Sequence, residues 1–462
     1  MNLKYRRLLY LTFIAIFLVI TPLVTLYTAG YRYNLKRHKI EKTGILYLDS
    51  KPKGAEIYIN GRYQDKTPAR FANLMPDTYQ IEVKKTGYYP WKKEVAIKSN
   101  LTTFEEDIIL FKENLPINLL EGQVNIFNIA PNQDKIIYSV TKNNSEELKL
   151  YNLINQSDFS IKKFNSLKNN QLEFVGWSPN LNKAILKITS NNFNQYFILD
   201  TDTLKIKELF DITRINFSKI LWDNLTGNYL YGLNEGAIYQ IDPSTNSTKN
   251  LFSKDIIDFY PNGSEIYYIN QDQTGNYLGR EILIKSPNTE EETVKIEKIK
   301  LPSPSAFTLQ PSTVNYLVLL DQRSNDLFII SKNAFRDEDI NQNIILQDRA
   351  KKILWSKDYK NILYFTDFEI WTYNFATQQK SLTTRYSEPI YGAIWYPTNK
   401  YIIYQLKDSI RAIEAGLSEI KNDLELAKIN TIGGLAIDQT GNNLYFTGKA
   451  GNKSGIYQLG LQ

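Results

Sequence analysis

A short pattern that recurs about every 44 residues constrains the fold of this chain more than any other feature of its sequence. Each copy has an apolar strand, a turn similar to Trp-Ser-Pro followed by Asn, Asp or Gly, and a second strand rich in Ile, Leu and Tyr. Eight copies are present, with turns centred at residues 131, 179, 224, 261, 311, 357, 397 and 439. A period of about 40–50 residues with several short strands per unit is typical of a β-propeller, whose four-stranded blades pack against their neighbours. The sequence therefore predicts an all-β propeller over residues 113–462, with eight blades favoured and seven as the alternative.

The two ends of the repeat region predict how such a ring would close. The last copy ends shortly after residues 455–459 and lacks an outer strand, whereas residues 115–120 precede the first copy and belong to none. Pairing of these two segments would remove an exposed strand edge. We expect residues 115–120 to supply the missing strand.

Four tryptophans take the same place in their copies of the repeat: Trp177, Trp222, Trp355 and Trp395. Recurrence at one position predicts packing between blades rather than contact with a ligand. The repeated unit resembles the blades of Tol-type periplasmic propellers and WD-like repeats. That resemblance implies a fold only, because propellers include both binding scaffolds and enzymes.

The N-terminal region predicts a membrane anchor. Residues 8–29 contain 22 residues without a charge, which as a helix would span roughly 33 Å, enough to cross a bilayer. A cleaved signal peptide is the alternative, but its apolar core would be shorter, and only Thr28-Ala29-Gly30 offers a small-residue cleavage site. We expect a short tail at 1–7 and an uncut transmembrane helix at 8–30 that contacts the lipid bilayer.

Residues 31–42 predict a basic linker suited to anionic lipid headgroups, and they contain His38, the only histidine of the chain. Five basic residues lie in this linker and three precede the helix. A literal count of positive charges would therefore place the body of the protein in the cytoplasm.

Residues 43–112 change to short strands with alternating apolar and polar positions, at 45–49, 56–59, 78–84, 93–98 and 104–110. Asn60-Gly61 predicts a type I′ hairpin turn, because both central residues of that turn need a positive φ. About seventy residues of such strands predict a small β-sandwich.

This segment resembles the PEGA domain family, named after a Pro-Glu-Gly-Ala turn. The matching motifs are Pro52-Lys53-Gly54-Ala55, Tyr58-Ile59-Asn60-Gly61, Lys66-Thr67-Pro68, Leu74-Met75-Pro76-Asp77-Thr78-Tyr79 and Lys85-Thr86-Gly87-Tyr88-Tyr89-Pro90-Trp91. The resemblance implies a sandwich common in surface-layer and other extracytoplasmic proteins of bacteria and archaea, without catalytic residues. We therefore expect a cytoplasmic N-terminus and an extracytoplasmic body in the cell envelope, against the charge count.

Three aromatic residues of the last motif are the candidate binding residues: Tyr88, Tyr89 and Trp91. Their rings could form a platform on which the sugars of a wall polysaccharide stack. The alternative is that they pack in the core or against another domain.

The residue types that are absent exclude several kinds of chemistry. With no cysteine, the chain cannot form a Cys-His arrangement or a thiolate site. Its one histidine, His38, cannot form a histidine-rich metal site, and its place between basic residues of the linker favours a solvated side chain over a member of a Ser-His-Asp arrangement. We expect no catalytic residue, metal or cofactor. The modest net charge of +6 is spread over runs of both signs, so no nucleic-acid partner is expected.

These observations favour a membrane-anchored binding scaffold that contacts an envelope protein or a cell-wall polysaccharide through its propeller. One alternative is a carbohydrate-active propeller enzyme that uses paired carboxylates, for which Asp367 with Glu369 and the run Glu105-Glu106-Asp107 are the visible clusters. Another is a single-pass sensor or assembly factor, although the segment before Leu8 is too short for an output domain.

Overall fold

The computed structural model describes residues 3–35, 37–132, 134–142, 145–165, 171–180, 182–189, 193–224, 226–272, 275–284, 293–301, 306–321, 323–416 and 421–462. The chain forms two compact units. The first comprises Met1–Leu115, Ile413–Leu426 and Gly460–Gln462, and the second comprises Pro116–Ala412 and Ala427–Leu459.

The first unit begins with helix α1 (Leu3–Thr28), whose segment Tyr5–Thr28 is apolar and long enough to cross a membrane. The helix starts at Leu3, before the predicted span at 8–30, and the prediction of a short tail at 1–7 stays a prediction. Residues 3–7 are Leu, Lys, Tyr and Arg, which all accept helical backbone angles. Pro22 lies within the helix without ending it.

A β-hairpin, β1 (Tyr31–Asn34) with β2 (Lys39–Lys42), follows the helix where the basic linker was predicted. The backbone N–H and the hydroxyl of Thr43 both donate to the Gly30 carbonyl oxygen at 2.9 Å. The Arg32 guanidinium donates to the Tyr27 carbonyl oxygen at 2.6 Å, so a cation satisfies the negative end of α1. The exit of the helix is therefore held by defined hydrogen bonds.

The predicted sandwich is present as two sheets. The three-stranded sheet has the order β6-β3-β9, and the four-stranded sheet has the order β5-β4-β7-β8. Their strands are β3 (Gly44–Lys51), β4 (Glu56–Ile59), β5 (Arg62–Lys66), β6 (Ala69–Leu74), β7 (Asp77–Lys84), β8 (Trp91–Ile97) and β9 (Thr102–Ile109). Strands β5 and β6 were not predicted; β5 is exposed along its whole length and so lacks the alternation that marks a strand.

The core between these two sheets consists of the inward-facing residue of each alternating pair. It includes Leu46, Leu48, Ile57, Ile81, Val83, Val95 and Ile108, all nearly inaccessible to solvent. The turn between β4 and β5 has φ of 49° at Asn60 and 76° at Gly61. The prediction of a turn with two positive φ angles is thus confirmed.

Eight four-stranded sheets follow within the described residues from 117 to 460. Strand β10 (Ile117–Glu121) comes first and belongs to the eighth sheet. The first sheet contains β11 (Gln123–Ile129), β12 (Lys135–Lys142), β13 (Ser145–Asn152) and β14 (Ser157–Asn165). The second contains β15 (Gln171–Trp177), β16 (Lys183–Thr189), β17 (Asn194–Asp200) and β18 (Ile206–Glu208), followed by helix α2 (Leu209–Thr213).

The third sheet contains β19 (Lys219–Trp222), β20 (Leu230–Asn234), β21 (Ala237–Asp242) and β22 (Ser247–Ser253). The fourth contains β23 (Ile256–Asn262), β24 (Glu265–Asp272), β25 (Gly275–Ile284) and β26 (Thr293–Lys300). The fifth contains β27 (Phe307–Gln310), β28 (Tyr316–Asp321), β29 (Asp326–Ser331) and β30 (Ile344–Arg349), with helix α3 (Ala334–Asp337) and a 3-10 turn (Asn341–Asn343) before β30.

The sixth sheet contains β31 (Lys352–Trp355), β32 (Asn361–Phe365), β33 (Glu369–Asn374) and β34 (Gln379–Arg385). The seventh contains β35 (Gly392–Trp395), β36 (Tyr401–Gln405), β37 (Ser409–Glu414) and β38 (Asp423–Lys428). The eighth contains β39 (Asn430–Ile437), β40 (Asn443–Ala450), β41 (Lys453–Gly460) and, next to β41, strand β10. The predicted closing strand is therefore confirmed.

Among the described residues, hydrophobic clusters join six of the eight pairs of neighbouring sheets. One cluster packs Ile137 and Leu148 of the first sheet against Ala184 and Leu186 of the second. Similar clusters connect the second to the third sheet, the third to the fourth, the fourth to the fifth and the fifth to the sixth. A further cluster contains Tyr445 and Ile456 of the eighth sheet with Ile136 and Tyr138 of the first. The sheets thus form a closed propeller of the predicted kind.

Contacts at the turn between the first and second strands also link each sheet to the next. Seven of these links are hydrogen bonds: Trp177 to Asn128, Asn224 to Asn262, Asn262 to Thr313, Trp355 to Pro311, Trp395 to Leu354, Tyr396 to Gly441 and Gln439 to Pro131. At the junction of the second and third sheets, Gly227 lies against Pro179 instead. We call this set of contacts the turn belt.

Candidate functional site

The three predicted binding residues lie in the first unit, on the turn that leads into β8. The Tyr89 N–H donates to the Phe111 carbonyl oxygen at 2.9 Å, and Tyr88 pairs with Lys112 in an isolated bridge. Both tyrosines are half-buried, whereas Trp91 is only 2% exposed and belongs to the sandwich core. The structure therefore does not bring the three rings onto one exposed face. A binding role for them stays a prediction.

Trp91 is fixed by residues of the first unit that are distant in sequence. Its indole N–H donates to the Glu414 carboxylate at 2.6 Å, and the Lys93 ammonium lies 3.3 Å from the other oxygen of that carboxylate. Asn422 adds a hydrogen bond to the Lys92 carbonyl oxygen at 3.4 Å. The buried Glu414 carboxylate thus has both a cation and an indole donor, as a buried charge requires.

Lys93 also lies 3.3 Å from the carboxylate of Glu105, a member of the predicted carboxylate run. Burial raises the pKa of Glu105 above its usual value, although the neighbouring Lys93 acts in the opposite direction. Lys421 on the same segment as Glu414 has a pKa lowered by burial. These groups form a structural charge network within the first unit.

A cavity with a volume of about 480 Å³ lies at one end of the four-stranded sheet of the sandwich. It is lined by Gly54, Glu56, Lys66, Lys84, Lys85, Thr86, Gly87, Tyr88 and Pro90. We call it the lysine pocket. Its walls come from three of the motifs that carry the PEGA resemblance, at residues 52–55, 66–68 and 85–91.

Strand register explains why these charges meet. Glu56 on β4 pairs with Lys66 on β5 and with Lys84 on β7. Side chains of directly paired residues lie on the same face of a sheet, about 5 Å apart at Cβ. Because Ile57 and Val83 point into the core, Glu56 and Lys84 point to the opposite, solvated face.

Two glycine turns close the end of the pocket. Gly54 has φ of 74° and Gly87 has φ of 81°, conformations that favour glycine. The Lys85 ammonium donates to the Lys53 carbonyl oxygen, and a side chain at position 54 would lie 3.8 Å from that ammonium. Lys85 is therefore held over the turn that gives the family its name.

The lysines of the pocket differ in their partners. Lys84 forms an ion pair with Glu82 at 2.8 Å, and this hydrogen bond raises the pKa of Lys84, which stays charged. Glu56 accepts a hydrogen bond from the Tyr58 hydroxyl at 3.0 Å. Among the described residues no carboxylate forms an ion pair with Lys66, which is exposed at the pocket rim. Three cations line the pocket with the carboxylate of Glu56, and with the Glu82 carboxylate that pairs with Lys84 also counted, one positive charge remains in excess.

The predicted carboxylate clusters of the propeller are engaged in surface ion pairs. Asp367 pairs with Lys351 at 2.6 Å, and Glu369 pairs with Arg385 at 2.6 Å and accepts the Trp371 indole N–H at 2.8 Å. In the part of the chain that the structure describes, no group of three or more His, Asp or Glu side chains could hold a metal ion.

Three of the four repeated tryptophans pack between sheets as expected. Trp177, Trp355 and Trp395 each donate the indole N–H to the preceding sheet, at 2.9, 2.8 and 3.2 Å. Trp222 is buried in the cluster that joins the second and third sheets. The prediction of inter-blade packing is confirmed.

Sequence reasoning missed the lysine pocket because Lys66, Lys84 and Lys85 are ordinary surface residues in the sequence. The signal was present, since Lys66 and Lys85 belong to the quoted motifs. Only the pairing of β4 with both β5 and β7 brings them to one place.

Comparison with known protein families supports the predicted PEGA resemblance. Residues 43–110 match the model of the PEGA domain, which confirms the predicted resemblance for this segment. The protein therefore contains a PEGA domain, preceded by an apolar helix and followed by a propeller. A search of curated proteins found no significant match.

Several solved structures are similar to this chain over 65% to 75% of its length. The C-terminal WD40 domain of Sif2 is 10% identical, with 75% of this chain and 99% of that chain covered and a TM-score of 0.49. Dihydro-heme d1 dehydrogenase NirN is 11% identical, with 75% and 78% covered and a TM-score of 0.48. Hsv2 of Kluyveromyces lactis is 8% identical, with 65% and 97% covered and a TM-score of 0.41. At these identities they assign no ligand or activity to this chain.

Proposed function

We propose that this protein is a single-pass, non-catalytic binding scaffold of the cell envelope. Residues 8–30 anchor it in the cell membrane, the N-terminus is cytoplasmic, and the PEGA domain at 43–112 and the propeller at 113–462 are extracytoplasmic. The propeller binds an envelope protein or a cell-wall polysaccharide.

The main support for this proposal is the solvent-exposed apolar surface of helix α1. The span Tyr5–Thr28 has a mean hydropathy of 2.4, and none of it is buried against the other described residues. Phe17 is 66% exposed and Leu11 is 65% exposed. Leaving such side chains in water costs about 2 kcal/mol each, which favours a hydrocarbon environment around them. Lipid is the environment that a 24-residue apolar helix fits.

Two features support the placement of the body outside the cytoplasm. PEGA domains are extracellular modules, and the chain contains no cysteine, so it tolerates an oxidising compartment without disulfide exchange. The closed ring supports a binding role, because a propeller held by its clusters and turn belt offers rigid loop faces on which a partner can dock.

Topology mapping tests the orientation. A phosphatase that is active only outside the cytoplasm is fused after Gln462, and a reporter that is active only in the cytoplasm serves as the opposite fusion. We expect activity from the first fusion alone. Activity from the second alone would reject the proposal.

Carbonate extraction of membranes tests the anchor, and we expect the full chain in the pellet with its N-terminal residues still present. A matched variant with Phe17→Lys and Leu11→Lys should leave the membrane. Release of the unmodified chain, or a mature protein that begins after Gly30, would contradict an uncut anchor.

A further inference from the structure

We propose that the lysine pocket of the PEGA domain binds an acidic sugar residue, that is, a hydroxyl-rich anion such as a unit of an anionic polysaccharide. This inference goes beyond the scaffold role above, which assigns binding to the propeller. It does not depend on which side of the membrane the body occupies.

The first step is the charge of the pocket. Lys66, Lys84 and Lys85 line it with the carboxylate of Glu56, and the charge of Lys84 is already paired with Glu82, so that one positive charge remains in excess. Lys66 is exposed, and no described carboxylate forms an ion pair with it. Ammonium groups that face a common concave surface attract anions and bind them as point charges. The excess of cations therefore predicts a ligand with a negative charge.

The second step is the hydrogen-bonding capacity of the remaining lining. Glu56 is an acceptor only, because its carboxylate cannot donate, and Tyr88 and Thr86 carry hydroxyls that donate and accept. A simple inorganic anion would be repelled by Glu56 and would gain nothing from it. A ligand that presents hydroxyl donors beside its anionic group satisfies Glu56 as well as the lysines.

The third step is size. The volume of about 480 Å³ lies in the range of small-molecule pockets and accommodates one or two sugar units rather than a folded partner. Tyr88 is half-buried at its edge and offers part of a ring to a sugar face. This places Tyr88, but not Trp91, among the residues of the site.

The test uses the full chain in nanodiscs of a neutral lipid, with binding followed by titration calorimetry. The probes are a trisaccharide of hexuronic acid, a hexose phosphate, the matching neutral trisaccharide and inorganic phosphate. We expect the two acidic sugars to bind, with affinity that falls as salt rises. The neutral trisaccharide and inorganic phosphate should bind at least about tenfold more weakly.

Lys66→Gln is the main variant, because Lys66 is exposed and its loss should not disturb folding. We expect about a tenfold weaker affinity for the acidic sugars, which corresponds to one lost charge-assisted hydrogen bond. Lys66→Arg should restore binding. Lys98→Gln is the matched control: Lys98 is exposed on the same domain but does not line the pocket, and its change should leave affinity as it was.

Three results would overturn the proposal. The acidic sugars fail to bind, they bind Lys66→Gln and Lys98→Gln equally well, or nanodiscs of anionic lipid abolish binding because the pocket holds a headgroup instead. Failure here leaves the topology and extraction results untouched, so it can be told apart from failure of the scaffold role.

Discussion

Single residues of the sandwich take roles that their sequence neighbours do not reveal. Within the motif at 85–91, Trp91 lies in the core while Tyr88 lines a pocket. The partner of Trp91 is Glu414, 323 residues further along the chain. No pattern of spacing connects residues so distant, so this contact could not be predicted from the sequence.

Replacement of Trp91 by Phe keeps the aromatic core but removes the donor to Glu414. A buried carboxylate that loses a hydrogen bond is destabilised, so we expect the opening free energy of β8 to fall by about 1–2 kcal/mol. Hydrogen exchange read by mass spectrometry would measure it. The control is Trp371→Phe: both carboxylates keep a cation, but the side chain of Glu369 is 26% exposed against 12% for Glu414, so we expect less than half the loss. Equal losses in the two variants would contradict the role of the Glu414 contact.

Gly227 and Gly451 both have a positive φ, but only at Gly227 would an added side chain contact a neighbouring residue. Gly227 has φ of 64°, and a Cβ there would lie 2.8 Å from Cδ of Pro179. Gly451 has φ of 58°, and nothing lies within 4 Å of its added Cβ. We expect Gly451→Ala to cost about 1 kcal/mol and Gly227→Ala clearly more, because Pro179 must also shift. Chemical denaturation of both variants measures the two losses of stability. Similar midpoints would contradict the expectation and show that the second and third sheets can move apart at Gly227 and Pro179.

At the level of elements, the repeat predicted the positions of the first two strands of each unit and of the turn between them. It did so because strand alternation and turn residues are local properties. The packing of the tryptophans between blades was predicted, but the hydrogen-bond acceptors in the turn belt were not, since pairs such as Trp355 and the Pro311 carbonyl oxygen lie about one repeat apart. Strand β5 was missed for the opposite reason, because its exposed polar residues carry no apolar pattern.

The second strands of the sheets carry buried tyrosines that respond to alkali. Burial, followed by hydrogen bonds to Asp158, Glu265 and Asp348, raises the pKa of Tyr138, Tyr267 and Tyr364 well above the ordinary value of 10.0. The folded state therefore favours the neutral phenol. Stability should be intact below about pH 10, where unfolded tyrosine ionises, and should fall above it by about 1.4 kcal/mol per pH unit for each tyrosine.

Urea midpoints measured across this pH range would check the decline. Tyr364→Phe should make the urea midpoint fall less steeply with rising pH. Tyr359→Phe, at a side chain that is 61% exposed, should leave that dependence unchanged. A stability that does not change through this range would contradict the burial of the three phenols.

For the molecule as a whole, ring closure is the feature that the sequence indicated best. Strand β10 pairs with β41 in antiparallel register, Ile117 opposite Gln458 and Glu121 opposite Gly455. The prediction succeeded because an unassigned segment at one end matched a missing strand at the other. No sequence pattern indicated that residues 413–426 belong to the first unit, since β37 and β38 look like ordinary strands of the seventh sheet.

A disulfide across this closure tests its importance, and the absence of native cysteines makes the result unambiguous. Ile117→Cys with Gln458→Cys links two paired positions and closes a very long loop. We expect a gain of about 2–4 kcal/mol under oxidising conditions, lost on addition of dithiothreitol. Each single cysteine variant serves as a control. If the oxidised double variant unfolds like the reduced one, opening of this edge does not limit stability.

Translation imposes an order on these contacts. The ribosome makes the PEGA domain near the start of the chain, yet its unit includes Ile413–Leu426 and Gly460–Gln462. The indole N–H of Trp91 has its acceptor only after Glu414 has been synthesised, and β10 can pair only after β41 has been synthesised. The PEGA domain, although synthesised early, is therefore among the last parts of the nascent protein to mature.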